Sequence, residues 1–337
     1  GGSIVPPVPV AIDVYHNLAA SYAKLGERLE AKRSYAQCLL RDDTSERAGQ
    51  VYYALATLAK EDNEVALAAQ YLQKASQFSQ AGASGMNEAT FEAAELYYKN
   101  EEYANAIARY AEIVEKGVSD SLKPYVLSRV IVGYFRLNNA KEGETRVSAF
   151  LKSYSKQERY FAEFEYERGM YFLRKDDYPA AKRFFDNVIQ KYATTLFVAS
   201  AMYGNGRVAE LTNKQPEAAK LYETILQHFS GDAITPRVRL ALGNLYYSQE
   251  QWDPAARQYK AVLDSDSRAS DLIPFAMNNL ILAYKQLSLF DAALELTRKY
   301  IDRFPGDPEL MNKRIDIGVL FQRLGYYDQS VLHLQSL

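Results

Sequence analysis

The chain has 337 residues, with 40 Lys and Arg against 42 Asp and Glu, so its formal charge of −2 gives no overall electrostatic case for nucleic acid or an anionic membrane surface. A single cysteine, Cys38, excludes an internal disulfide framework. The three histidines, His16, His228 and His333, lie too far apart in sequence for metal-ligand spacing, and no run reaches the roughly 18 apolar residues of a membrane span.

Gly1-Gly2-Ser3 reads as an expression scar, so the lack of a leader says nothing about export. Residues 1–10 as a whole, with Pro6, Pro7 and Pro9, read as an extended linker. From residue 11 the apolar residues fall at helical spacing and strand alternation is absent. A phrase marking the turn from one helix into the next then recurs along the chain. It is Ala23-Lys24-Leu25-Gly26 before Ala31, then Tyr98-Lys99-Asn100-Glu101-Glu102-Tyr103 before Ala106. It returns as Leu173-Arg174-Lys175-Asp176-Asp177-Tyr178 before Ala181, and as Tyr247-Ser248-Gln249-Glu250-Gln251-Trp252 before Ala255. The last copies end in Phe290 before Ala293 and in Tyr327 before Ser330.

A second marker fixes the period. Small or moderate residues stand at Ala19, Ala56, Ala94, Ile131, Gly169, Gly206, Gly243, Ile281 and Gly318, always 37 or 38 residues apart. This spacing predicts nine helical hairpins, near 12–48, 49–86, 87–123, 124–161, 162–198, 199–235, 236–273, 274–310 and 311–337, in a single all-α array. Second helices open near Tyr178-Pro179, Asp253-Pro254, Asp291 and Asp328, where Pro is tolerated and Asp complements the helix dipole. Mid-helix Gly costs about 1 kcal/mol of propensity, so Gly169, Gly206, Gly243 and Gly318 imply a close helix crossing. Residues 80–87, with Gly82, Ser84 and Gly85, predict a bend or a longer loop. The pattern stops at Leu337, inside the second helix of the ninth unit and without a polar cap. That reads as a fragment of a longer array whose last unit, 311–337, frays first, with self-association through this end as one outcome.

The sequence carries no recognisable catalytic motif. Asp176-Asp177 and Glu101-Glu102 could serve glycoside hydrolysis if they faced a cleft, but acids recurring at one turn of a repeat read as solvated. Cys38 stands on a second-helix stripe and reads as a buried small hydrophobe rather than a reactive thiol. No cofactor or metal is implied.

The pattern of Leu18-Ala19, Tyr22, Gly26, Ala31 and Tyr35, repeated in Leu242-Gly243, Tyr246, Trp252, Ala255 and Tyr259, resembles the tetratricopeptide repeat. The resemblance covers about residues 11–337 and departs in a period three or four residues longer than the usual 34. It implies a right-handed superhelical solenoid whose first helices line a concave groove for a partner protein or peptide. Carried over by register, groove positions include Tyr53 and Lys60, then Phe91, Tyr98 and Lys99, then Phe135 and Arg136. Tyr166 and Arg174 follow, then Tyr203 and Arg207, then Asn244 and Tyr247, then Asn278 and Lys285. Tyr and Arg are enriched at binding hot spots, although Tyr also packs helix to helix. The clamp that holds chaperone tails in some relatives is missing, since His16, Ala20 and Thr57 occupy its register. The long period and the phrase Phe304-Pro305-Gly306-Asp307 look like tetratricopeptide proteins of the bacterial envelope and periplasm. The resemblance thus implies an interaction scaffold; a structural spacer within a longer repeat array, or a glycan-binding or glycan-processing helical array, are the alternatives.

Overall fold

The computed structural model describes residues 8–78, 88–265 and 271–337. The irregular stretch expected at 80–87 and residues 1–7 of the expected linker lie outside the described residues. Val8, Pro9 and Val10, read as linker, instead belong to the first helix, where Pro at an early position costs no intrahelical hydrogen bond.

Among the described residues there are eighteen α-helices and no strand. They pair in sequence as α1 (Val8–Leu25) with α2 (Arg28–Leu39), α3 (Glu46–Glu61) with α4 (Val65–Ala75), and α5 (Glu88–Lys99) with α6 (Tyr103–Lys116). Next come α7 (Lys123–Arg136) with α8 (Ala140–Ser153), and α9 (Glu158–Arg174) with α10 (Tyr178–Lys191). The rest are α11 (Val198–Leu211) with α12 (Gln215–His228), α13 (Thr235–Ser248) with α14 (Trp252–Leu263), α15 (Ile273–Gln286) with α16 (Phe290–Arg303), and α17 (Leu310–Arg323) with α18 (Tyr327–Gln335). The chain divides into two compact units, Gly1–Tyr171 and Phe172–Leu337.

One residue per hairpin makes the turn. Gly26, Asn63, Glu101, Asn138, Asp176, Asn213, Glu250, Ser288 and Gly325 all have φ between 57° and 80°, the left-handed region. They follow one another at the same 37- or 38-residue spacing as the small residues. The N–H of the next residue then reaches back five positions, as in Glu27 to Tyr22 (3.0 Å), Glu102 to Tyr97 (2.9 Å), Gln251 to Tyr246 (2.9 Å) and Tyr326 to Phe321 (2.8 Å). This is the bond that ends a helix on a left-handed residue and satisfies its orphan carbonyl. The turn acids are therefore placed by backbone geometry as well as by exposure. Asp177 also caps α10, its carboxylate accepting from the Ala180 N–H at 3.1 Å.

The period follows from these parts. In the hairpin that begins at Val198, two 14-residue helices, the turn at 212–214 and the connection at 229–234 complete 37 residues. The connection is held by Asp232, which accepts from the Ile234 N–H at 2.9 Å, and by the Thr235 hydroxyl, which donates to the Phe229 carbonyl at 2.9 Å.

The small residues mark the crossings, as their recurrence implied. A Cβ on Gly206 would lie 2.2 Å from Tyr222 Cε1, one on Gly243 2.6 Å from Tyr259 Cε1, and one on Gly318 2.5 Å from Leu334 Cδ2. Tyr110, Tyr222 and Tyr259 are wholly buried, so part of the 27-Tyr content is core.

Two stability outcomes follow. Gly243→Ala pushes its methyl into the Tyr259 ring and lowers stability by about 1–3 kcal/mol, read from urea unfolding of the full chain; an unchanged midpoint would refute the crossing contact. Glu250→Gly relieves a left-handed non-Gly residue and raises stability, while Gly325→Ala imposes one and lowers it, each by about 1 kcal/mol. Midpoint shifts of the same sign in both variants would contradict the turn assignment.

Candidate interaction face of the first helices

Within the first unit, the expected groove residues are joined by contacts that step from one repeat to the next. On α3, Tyr53 donates to Glu92 of α5 at 3.0 Å, and Lys60 pairs with the same carboxylate. Glu95, one helical turn on, accepts from Tyr110 of α6 at 2.5 Å and from Tyr125 of α7 at 2.9 Å. Arg129 of α7 lies 5.0 Å over the rings of both Tyr98 and Tyr125. It donates to the Tyr98 hydroxyl at 3.2 Å and pairs with Glu163 of α9 at 3.0 Å. Arg136 pairs with Glu167, one turn further along α9, at 2.5 Å. Glu163 and Glu167 are both buried.

Burial dominates the ionisation of this cluster. It pushes the Tyr125 hydroxyl to about 12, with Glu95 adding to the rise, and drives Tyr98 and Tyr110 further up. It also pushes the Glu163 carboxyl above the usual carboxylate range, and the nearby Arg129 offsets this only in part.

Phe135 requires correction. Expected in the groove, it is 1% exposed, and its ring carbons come within 3.1 Å of where a Cβ on Gly143 of α8 would stand. Position 135 therefore faces the partner helix of its own hairpin. The rings of Tyr98 and Phe91 are half-buried, Phe91 meeting Tyr110 edge-on with ring centres 6.4 Å apart. Tyr53, at 43% exposure, and Lys99 reach solvent, while Tyr166 is half-buried.

The second unit repeats the scheme with fewer charges. Tyr203 of α11 packs on Tyr222 with ring centres 5.6 Å apart, and Arg207 pairs with Glu210 of its own helix. Asn244 of α13 is exposed, and its side-chain oxygen accepts from Tyr259 and from Asn279 of α15, both at 2.9 Å. Tyr247 meets Trp252 edge-on at 4.7 Å. Asn278 accepts from Lys313 of α17, and Lys285 pairs with Asp316 at 2.8 Å. Arg174 is exposed. Among these polar groups α15 and α17 present Leu282, Ile315 and Val319 to solvent.

Sequence reasoning found the cations and rings but not their acidic partners. A signal existed: Glu92 follows Lys60 by 32 residues, Glu163 follows Arg129 by 34, Glu167 follows Arg136 by 31, and Asp316 follows Lys285 by 31. Each acid thus stands a little less than one period after its cation. Elsewhere, Cys38 is buried with its thiol pushed up by that burial. Among the described residues no cluster of three or more metal-ligating side chains exists, and no helix is long and apolar enough to cross a membrane.

Paired helices of constant period, closed by one left-handed turn each, define the class as a helical-repeat solenoid. Residues 166–233 and 240–308 match the tetratricopeptide repeat family, and the other hairpins share the period and turn of the matched ones. The fold resembles a tetratricopeptide repeat protein from Parabacteroides merdae at 13% identity, with a TM-score of 0.50 over 81% of this chain and 98% of that one. It resembles the apo form of RapI at 13% identity, with a TM-score of 0.54 over 73% of this chain and 74% of that one. A signal-transduction ATPase with numerous domains, carrying a tetratricopeptide repeat sensor, from Pyrococcus horikoshii matches at 13% identity with a TM-score of 0.57. That match covers 97% of this chain and 52% of the other. No curated protein matches the sequence. Folds of this kind generally serve as protein-interaction scaffolds.

A pH test isolates the buried acid. The folded-state pKa of Glu163 is raised, so the folded protein binds its proton more readily than the unfolded chain does. Its contribution is present below the unfolded pKa and is lost as pH rises through the folded one. Wild type should therefore gain stability relative to Glu163→Gln as pH falls from neutral toward the carboxylate range. Urea midpoints that diverge the other way would show that the Arg129 pair outweighs burial.

Proposed function

We propose that the chain is a non-catalytic scaffold that binds an extended or helical segment of a partner protein along the face carried by its first helices. The supporting observation is what stays exposed beside the inter-repeat contacts. Tyr53, Lys99, Asn244, Leu282 and Val319 are exposed on first helices, a mixture of ring, amide, cation and aliphatic groups that suits recognition of a peptide. The 37- to 38-residue period and the Phe304-Pro305-Gly306-Asp307 connection favour a setting in the assembly of a bacterial envelope complex.

Photo-crosslinking in the native extract tests this reading. A benzoyl-phenylalanine at position 53, 99, 244 or 319 should capture one common partner, and the same residue at Lys220 of second helix α12 should not. Tyr53→Ala with Lys99→Glu should weaken retention of that partner by about tenfold, the scale of one hot spot. Equal crosslinking from position 220 would move the contact to the second helices and leave the first-helix face without a role.

A further inference from the structure

A cleft of about 220 Å³ opens between the start of α7 and the end of α8. Its lining includes Leu127, Val130, Ile131 and Phe150, with Lys123 and Arg146 also present. At 100° per residue, Leu127, Val130 and Ile131 lie on the far side of α7 from Tyr125, Arg129 and Arg136, so this cleft is separate from the ionic contacts of the first helices.

The two cations of this cleft differ in their pairing. Arg146 pairs with Glu142 at 2.9 Å and lies 5.0 Å over the Tyr134 ring, yet its Nε is buried without an acceptor. The Lys123 side chain has no ion-pair or hydrogen-bond partner among the described residues, its backbone N–H bonding to the Ser119 carbonyl. Lys123 therefore lines an apolar cleft with its side-chain charge unpaired. The volume is also informative. Sites for whole small molecules occupy roughly 300–1,000 Å³, and this cleft is smaller, the size for a single large side chain.

We infer that the α7–α8 cleft is a second docking site, which takes one branched aliphatic or aromatic side chain of a partner protein flanked by a carboxylate. The side chain fills the space above Val130 and Ile131, and the carboxylate meets the Lys123 ammonium. The inference is independent of what the first helices bind.

The test uses the full chain with labelled Ile, Leu and Val methyl groups and a short helical peptide carrying Leu followed by two Asp in an Ala/Gln host. The methyl signals of Leu127, Val130 and Ile131 should shift saturably, and peptides with Leu→Ala or with both Asp→Lys should lose binding. Ala149→Trp, which blocks the cleft from an exposed position, and Lys123→Glu should each weaken binding by about tenfold. Far-UV circular dichroism confirms that both variants are folded. No shift with the peptide at millimolar concentration overturns the inference. So does saturable binding that Ala149→Trp leaves unchanged, or shifts produced by decanoate but not by the peptide.

Discussion

The fold rests on a close approach seen at Gly206, Gly243 and Gly318, where the first helix of a hairpin crosses the second at a residue without a side chain. At Gly206 and Gly243 the space a side chain would fill is taken by the rings of Tyr222 and Tyr259. Those rings are wholly buried, and their apolar area supplies much of each hairpin's core. The crossing works only if the chain reverses at a fixed distance beyond it. The left-handed residue stands seven positions after the small one, as Asn213 does after Gly206 and Glu250 after Gly243. Crossing and turn are therefore one constraint, and a repeat that shifted one without the other would lose its register.

Above this apolar layer the first helices carry a second, polar set of contacts. Tyr259 shows how the layers connect: its ring fills the space beside Gly243 while its hydroxyl donates to Asn244 on the next residue. Tyr110 does the same beneath Glu95, which also receives Tyr125 from the following repeat. A buried ring thereby fixes an acceptor on the surface, and that acceptor links neighbouring hairpins. Such links cost desolvation, so they argue for a defined inter-repeat geometry more than for added stability.

This layering explains what could be read from the sequence. The period was legible because small residues and turn phrases recur every 37 or 38 residues, each forced by backbone geometry. The helical pairing was legible for the same reason. The surface was not, because register assigns a position to a helix face without revealing what stands opposite. Phe135 shared its register with surface residues yet turned into its own hairpin against Gly143. Arg136 and Lys60 looked like free cations because Glu167 and Glu92 lie nearly a full repeat away. The start of α1 was missed because Pro9 suggested an extended chain, although Pro is at home in a first helical turn.

Internal pairing also constrains how a partner can be recognised. Lys60, Arg136, Arg207 and Lys285 already hold carboxylates of this chain, so a partner acid could engage them only by displacing a bond that exists before it arrives. The exchange of one carboxylate for another brings little net energy. With a net charge of −2 the molecule has little overall field to accelerate encounter either. On the proposed reading, affinity along the first helices comes from the groups the internal contacts leave over: the Tyr53 ring, the aliphatic Leu282, Ile315 and Val319, and the unused hydrogen-bonding capacity of Asn244. Recognition of this kind selects by shape and hydrogen bonding, and its association rate should vary little with salt because steering contributes little to it.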